Sequence, residues 1–149
     1  MKKVMIMITA AMLLLSAGSF AANLKDDVNE RALSAFAKDF TGATQVNWQE
    51  RDNLYLVEFK LDGASFNAAY NSEGELLSSS KSIRLEELPL AVTVAVNKKY
   101  LGYEIGNNAA ELTFDGQTNY FLTIANSQQV LFIRVDARGH IKVERKTTF

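Results

Sequence analysis

The chain has 149 residues, with 16 Lys and Arg against 17 Asp and Glu, one His and no Cys. That balance argues against a nucleic-acid binder, which would carry a basic face. Without thiols no disulfide can form, and with a single histidine conventional zinc sites and His- or Cys-dependent triads have no basis.

The first residues read as an export signal. Lys2 and Lys3 form a basic start, Val4 to Leu15 an apolar run, and Ser16 to Ala21 a small-residue exit. Ser19 and Ala21 fit the small-residue positions before a cut, which places cleavage after Ala21 and the signal at 1–21. The apolar run is too short and wrongly flanked for a membrane span. Leu15-Ser16-Ala17-Gly18 resembles a lipoprotein signal, but Ser19 stands where the lipid-bearing cysteine would be. The expected mature chain is therefore periplasmic or extracellular, with no lipid or membrane anchor.

From Leu24 to Phe40, Val28, Ala32, Leu33, Phe36 and Phe40 fall at helical spacing. Gly42 is the expected stop, and Asp26 and Asp27 suit the positive end of that helix. The period then changes to two. Val46 and Trp48 precede a polar turn at 50–53, and Tyr55, Val57 and Phe59 alternate with Leu56, Glu58 and Lys60. Asp62-Gly63 is a hairpin signal. Pairing outward from it sets Phe59 opposite Phe66, Val57 opposite Ala68 and Tyr55 opposite Tyr70, all on one core face. Pairing across 51–52 sets Trp48 opposite Tyr55 on the same face. Asn71-Ser72-Glu73-Gly74 is a tight turn, and a fourth strand runs through Leu76. Ser78, Ser79, Ser80 and Ser82 around Lys81 read as a fraying edge or linker, and as the seam of the chain.

The order then repeats. Pro89 fits the first turn of a second helix with Leu88, Val92, Val96 and Tyr100 on its face, Gly102 as its stop, and Glu86 and Glu87 as favourable charges at its start. Val92 to Val96 also alternates as a strand would, and the repeat decides for helix. Strands follow at 104–114, 119–125, 130–135 and 140–146. With turns at Asp115-Gly116 and Ser127-Gln128, Tyr120, Leu122 and Ile124 face Val135, Ile133 and Leu131. Gly139 follows Gly74 by 65 positions, and at that offset apolar meets apolar at Tyr55/Tyr120, Val57/Leu122, Phe59/Ile124, Phe66/Leu131, Tyr70/Val135 and Leu76/Ile141. The reading is an α+β fold, a tandem repeat of one helix and a four-stranded antiparallel sheet, over 22–84 and 85–149.

Phe40-x-Gly42-Ala43-x-x-Val46-x-Trp48, Tyr55-x-Val57-x-Phe59 and Ala69-Tyr70-Asn71-x-x-Gly74-Glu75 together resemble the PepSY-like family of exported Bacteroidetes proteins, often described as β-lactamase-inhibitor-like. Leu88-Pro89-x-x-Val92-x-x-x-Val96-x-x-x-Tyr100-x-Gly102-Tyr103-x-Ile105 is similar to that family's second-unit opening. Thr41 departs from the family's proline. The resemblance implies two α+β units whose strands form one extended sheet with helices on one face. It also implies an open sheet face like the one with which the β-lactamase inhibitory protein binds its target.

On that face the first unit carries Leu56, Glu58, Lys60, Ser65, Asn67 and Ala69, an ordinary solvated surface. The second carries Phe121, Thr123, Ala125, Val130, Phe132 and Arg134. Aromatics and arginine most often dominate binding energy, so Phe121 and Phe132 are candidate anchors and Arg134 a polar clamp for a protein or peptide partner. The bland alternative is a patch covered by a terminus, a curled sheet or a second copy. Trp48, Tyr55, Tyr70 and Tyr120 read as core, His140 as a surface residue, and Asp136 as capping its own turn. No calcium loop, phosphate-cradling glycine loop or nucleophile elbow is found, and no cofactor is expected. The expected function is a non-enzymatic binding protein acting through the sheet face, including inhibition of an enzyme. The alternatives are a carrier of a small apolar ligand between sheet and helices, and a self-associating envelope protein.

Overall fold

The computed structural model describes residues 28–149. The export signal, and Leu24, Asp26 and Asp27 of the first helical pattern, lie outside the described residues. Within them are two α-helices, a short 3₁₀ turn and eight antiparallel strands, in two compact units divided between Lys81 and Ser82.

The first unit runs α1 (Glu30–Asp39), β1 (Thr44–Arg51), β2 (Leu54–Leu61), β3 (Ala64–Tyr70) and β4 (Leu76–Arg84), the last three residues of β4 belonging to the second unit. Helix α1 starts at Glu30, later than the apolar spacing suggests, because the Asn29 side chain caps it by accepting from Arg31 N at 2.7 Å. Glu30 in the first turn and Lys38 in the last suit the helix dipole, while Asp39 at the C-terminal end opposes it. Gly42, at φ +86°, turns the chain away, and no other residue type adopts that conformation as readily.

Ala32 and Phe36 of α1 pack on Trp48, Val57, Phe59, Ala68 and Tyr70. The Phe36 ring stands edge-on to Trp48 at 5.3 Å and to Phe59 at 5.0 Å. The β2–β3 pairing is the one Asp62-Gly63 dictates, with Phe59 opposite Phe66 and Tyr55 opposite Tyr70. The β1–β2 register differs from the sequence reading. Asp52 and Asn53, both at positive φ, make the turn, so Trp48 lies opposite Val57 and Glu50 opposite Tyr55. Trp48 stays on the core face because a shift of two residues preserves side-chain direction. The serine stretch is paired and not frayed, and the division between the two units falls within it, between Lys81 and Ser82. It continues β4, whose Ser78 and Ser80 lie opposite Ala69 and Asn67 and are buried.

The second unit runs from the 3₁₀ turn Leu85–Glu87 through α2 (Leu90–Lys99), β5 (Glu104–Phe114), β6 (Gln117–Ala125), β7 (Gln129–Asp136) and β8 (Ile141–Thr148). Glu86 and Glu87 sit in the 3₁₀ turn and not in the first turn of α2. The Glu87 carboxylate accepts from Arg84 N at 2.8 Å, which fixes it ahead of Pro89, the N-cap of α2. Four of the ten residues in α2 are β-branched, a poor composition for an isolated helix. Tertiary packing overrides it. Val92 and Val96 are buried against Tyr120, Leu122, Ile124, Leu131, Ile133 and Val135.

The turns at Gly74 and Gly139 are the same device. Asn71 Oδ1 accepts from the backbone N–H groups of Glu73 and Glu75, as Asp136 Oδ1 does from Arg138 and His140. The two glycines have φ +81° and +90°, and each faces the first turn of its own unit's helix. A Cβ at Gly74 would stand 2.7 Å from Arg31 O, and one at Gly139 would stand 3.0 Å from Ala91 O. Glycine is therefore required twice over at each place, by conformation and by closeness.

Candidate binding face

The strand register of the second unit brings the singled-out residues together on the sheet face opposite α2. Phe121 is flanked by Ala110 on β5 and Arg134 on β7, Thr123 by Phe132, and Ala125 by Val130. Phe121 and Phe132 are diagonal neighbours, and their rings stack at 5.6 Å with planes 23° apart. Their exposure differs from the expectation of a bare apolar patch. Phe121 is only 5% exposed, Val130 and Phe132 are half-buried, and Thr123 is exposed. Leu56, on the corresponding face of the first unit between Gln49 and Ala69, is buried too.

Three residues of β8 complete the face and were not legible as part of it. Arg145 lies opposite Phe132, and its guanidinium sits 5.8 Å from that ring's centroid, in cation–π range. Arg134 Nε is 2.8 Å from Glu144 Oε1, and Lys142 Nζ is 3.3 Å from the same oxygen. The Glu144 side chain is 8% exposed, and its Oε1 accepts no well-directed hydrogen bond, so charge attraction holds the cluster more than N–H direction does. A bulge where Phe132 gives way to Ile133 brings Glu144 to this position. Strict alternation along β8 would not reveal it. Arg134, Lys142 and Arg145 against Glu144 leave positive charge in excess around the two rings.

This arrangement can hold a partner by aromatic contact, guanidinium stacking and bidentate recognition of a carboxylate. The other titratable groups sit in structural settings. The Asp136 carboxyl is held at about 2, below its ordinary 3.8, chiefly by the His140 N–H and by the His140 ring at 2.9 Å. The Tyr70 hydroxyl donates to Asp39 Oδ2 at 2.9 Å, and burial together with that carboxylate pushes it well above the usual phenol range. His140 is exposed, and Tyr120 is buried in the core. Among the described residues, no three His, Asp or Glu side chains group as metal ligands, and no helix is long and apolar enough to cross a membrane.

No protein-family model matches the chain, and no curated protein matches it. Solved structures do. A BLIP-like protein of Bacteroides fragilis NCTC 9343 matches with a TM-score of 0.67 at 15% identity, over 80% of this chain and 85% of the other. A DUF2874 family protein of Bacteroides uniformis ATCC 8492 matches with a TM-score of 0.68 at 19% identity, over 81% and 89%. A candidate periplasmic protein of Bacteroides eggerthii DSM 20697 matches with a TM-score of 0.68 at 17% identity, over 81% and 88%. At such identities the likeness is one of fold, and the fold shared is BLIP-like.

Proposed function

We propose that the chain is an exported binding protein, without enzymatic activity, that takes a protein or peptide segment on the helix-free face of its second unit. The observation that carries this reading is the stacked Phe121–Phe132 pair with Arg145 over one ring and Arg134 beside the other. Phe121 is the floor that holds Phe132 in place, and Phe132, Thr123, Val130 and Arg134 make the contact. The export-like leader and the BLIP-like and candidate periplasmic neighbours support the setting. Enzyme inhibition is one form such binding would take. The repeated turn at Asn71 and Asp136 supports a second element of the reading, that the units are copies of one ancestral helix-plus-four-strand unit and that the PepSY-like resemblance is one of descent.

The test is a capture experiment from the envelope and culture fluid of the source organism, followed by binding measurements with the purified partner. Baits are the wild type and Thr123→Glu/Phe132→Ala, each confirmed folded by circular dichroism. Phe121 is left intact because its burial makes it a stability residue. Loss of an aromatic anchor costs about 2 kcal/mol or more, so binding should weaken by roughly thirtyfold or more. Equal affinity for both baits, or no captured partner, sinks the reading.

A further inference from the structure

The helix-free face of the second unit carries two guanidinium groups beside one half-buried ring. Arg145 lies opposite Phe132 across the β7–β8 pair, and Arg134 lies two residues along β7 on the same side. Arg134 spends its Nε on Glu144 at 2.8 Å, while Arg145 sits over the Phe132 ring. Among the described residues, Arg134 has no second ion pair and Arg145 has none. An arginine presents five N–H donors in a planar fork, so a contact through Nε leaves the Nη1–Nη2 edge for another acceptor. Arg145, held by a ring, spends none of its donors on a carboxylate. Glu144 does not offer them a second acceptor, because its side chain is buried and already shared by Arg134 and Lys142. Asp136, the next residue of β7 on this side, is turned into its own loop by the N–H groups of Arg138 and His140. The whole chain has a formal net charge of −1, so this surplus of cationic donors is local.

We propose that the occupant of this face is an extended acidic segment of a partner protein, with carboxylates on residues i and i+2 received by Arg134 and Arg145. The inference rests on the binding-face reading above and names its ligand class. Spacing carries it. Arg134 and Arg145 are diagonal neighbours on paired strands, a relation that sets Cα atoms about 7–8 Å apart. Residues i and i+2 of an extended chain point to one side and stand about 6.6–6.8 Å apart. Two carboxylates at that interval therefore meet the two forks together, and charge-assisted bidentate pairs are the strong ones. A single phosphate or lipid headgroup is a poorer fit, because the cations form two foci with the Phe132 ring beside them. Thr123, opposite Phe132 on β6, and Val130, two residues before it on β7, supply small and apolar ground for the residues that follow. Glu144 is a positioning residue here. By holding Nε it turns the remaining edge of Arg134 away from itself.

Fluorescence anisotropy of labelled peptides with the purified protein tests this. The probe has the centre Val-Glu-Thr-Glu-Val, and its controls carry Lys-Thr-Lys or Glu-Thr-Thr-Glu, the last with equal charge but its acids on opposite sides of a strand. The probe should bind about tenfold or more tighter than either control. Raising the ionic strength to about 1 M, where the Debye length is about 3 Å, should remove most of that preference. Arg145→Gln, and Arg134→Lys, which keeps a cation for Glu144 but loses the fork, should each weaken the probe about tenfold. Both variants should retain the wild-type circular dichroism. Arg145→Glu should recover binding to one of Lys-Thr-Glu and Glu-Thr-Lys, and whichever recovers gives the direction of the segment. Equal binding of probe and controls, or recovery with neither mixed peptide, overturns the proposal. So does uptake of phosphatidylglycerol vesicles in place of the probe, lost in Arg145→Gln, which would assign the cations to a headgroup. A captured partner that is lost by Thr123→Glu/Phe132→Ala but unmoved by Arg145→Gln and by salt overturns the acidic occupant and leaves the binding face standing.

Discussion

The two units build the same order of elements around different cores. In the first, the helix–sheet interface is aromatic: Phe36 and Phe40 meet Trp48, Phe59, Phe66 and Tyr70. In the second, the matching places hold Val96, Tyr100, Ala109, Ile124, Leu131 and Val135, and Ile83, Leu85, Leu88, Ile105 and Ile141 add aliphatic mass. Trp48 lies opposite Val57 and Ala109 opposite Leu122, so the largest side chain of one core corresponds to one of the smallest of the other. What the units share is backbone instruction: the stop glycines, the Asp-Gly hairpins, and the turns at Asn71 and Asp136. Core volume is interchangeable within this fold so long as turn chemistry and alternation persist.

The largest test of that contrast is Phe36→Ala against Val96→Ala. Phe36 touches four other rings, at centroid distances from 5.0 to 6.5 Å, and its removal should destabilise the first unit by about 3–5 kcal/mol. Val96 loses only two methyl groups, about 2 kcal/mol. Urea titrations read the difference, and fluorescence of Trp48, the one tryptophan, reports the first unit separately. Equal losses would mean that the aromatic cluster packs no better than the aliphatic one.

Next come the turn glycines. Gly74→Ala forces a left-handed alanine and a Cβ 2.7 Å from Arg31 O, which is backbone and cannot swing aside. The expected loss is about 2–3 kcal/mol. Gly139→Ala meets Ala91 O at 3.0 Å and should cost somewhat less. Gly63→Ala and Gly116→Ala, with nothing within 4 Å, should cost only the conformational part, about 1 kcal/mol. Thermal unfolding of the four variants ranks them. A Gly63 variant as damaged as the Gly74 variant would show that helix–turn contact contributes nothing.

These residues also mark what the sequence alone makes legible. Asp62-Gly63 determines the β2–β3 register because a two-residue turn leaves no slack, and every pair read outward from it is present. The Gly102 stop identifies α2 against its own strand-like propensity. The β1–β2 turn misleads by one place, since Glu50-Arg51-Asp52-Asn53 offers several polar turns, and only the positive φ of Asp52 and Asn53 chooses among them. The serine run reads as linker because its residues are small and polar. Its place in β4 comes from pairing with β3, which no local property of serine announces. On the candidate face, alternation puts Phe121, Phe132 and Arg134 together. The burial of Phe121 and the position of Glu144 depend on neighbouring strands and on a bulge, and neither is encoded within a few residues.

A smaller effect separates the units at Tyr70, whose counterpart is Val135. The Tyr70 hydroxyl holds Asp39, an acidic residue at the C-terminal end of α1 where the helix dipole disfavours negative charge. Tyr70→Phe keeps the buried ring and removes one partly buried hydrogen bond, for a loss of about 1 kcal/mol by urea titration. An unchanged midpoint would make the hydroxyl incidental.

The smallest effect concerns the paired turns, where Asn71 and Asp136 hold the same two backbone N–H groups but only Asp136 titrates. Its folded carboxyl is held at about 2, below 3.8, first by the backbone N–H of His140 and then by that residue's ring. A depressed carboxyl adds stability that is fully present above about pH 4 and is lost as pH falls through about 2. Asp136→Asn should therefore leave neutral-pH stability close to the wild type, because the amide oxygen still accepts both N–H groups, as Asn71 does in the first unit. Below about pH 4 its denaturation midpoint should fall less steeply than the wild type's. The reverse exchange, Asn71→Asp, should steepen the acid limb of the first unit, read through Trp48. If neither exchange moves the acid limb, the carboxylate is screened by solvent as an exposed charge would be, and the two turns differ in sequence but not in behaviour.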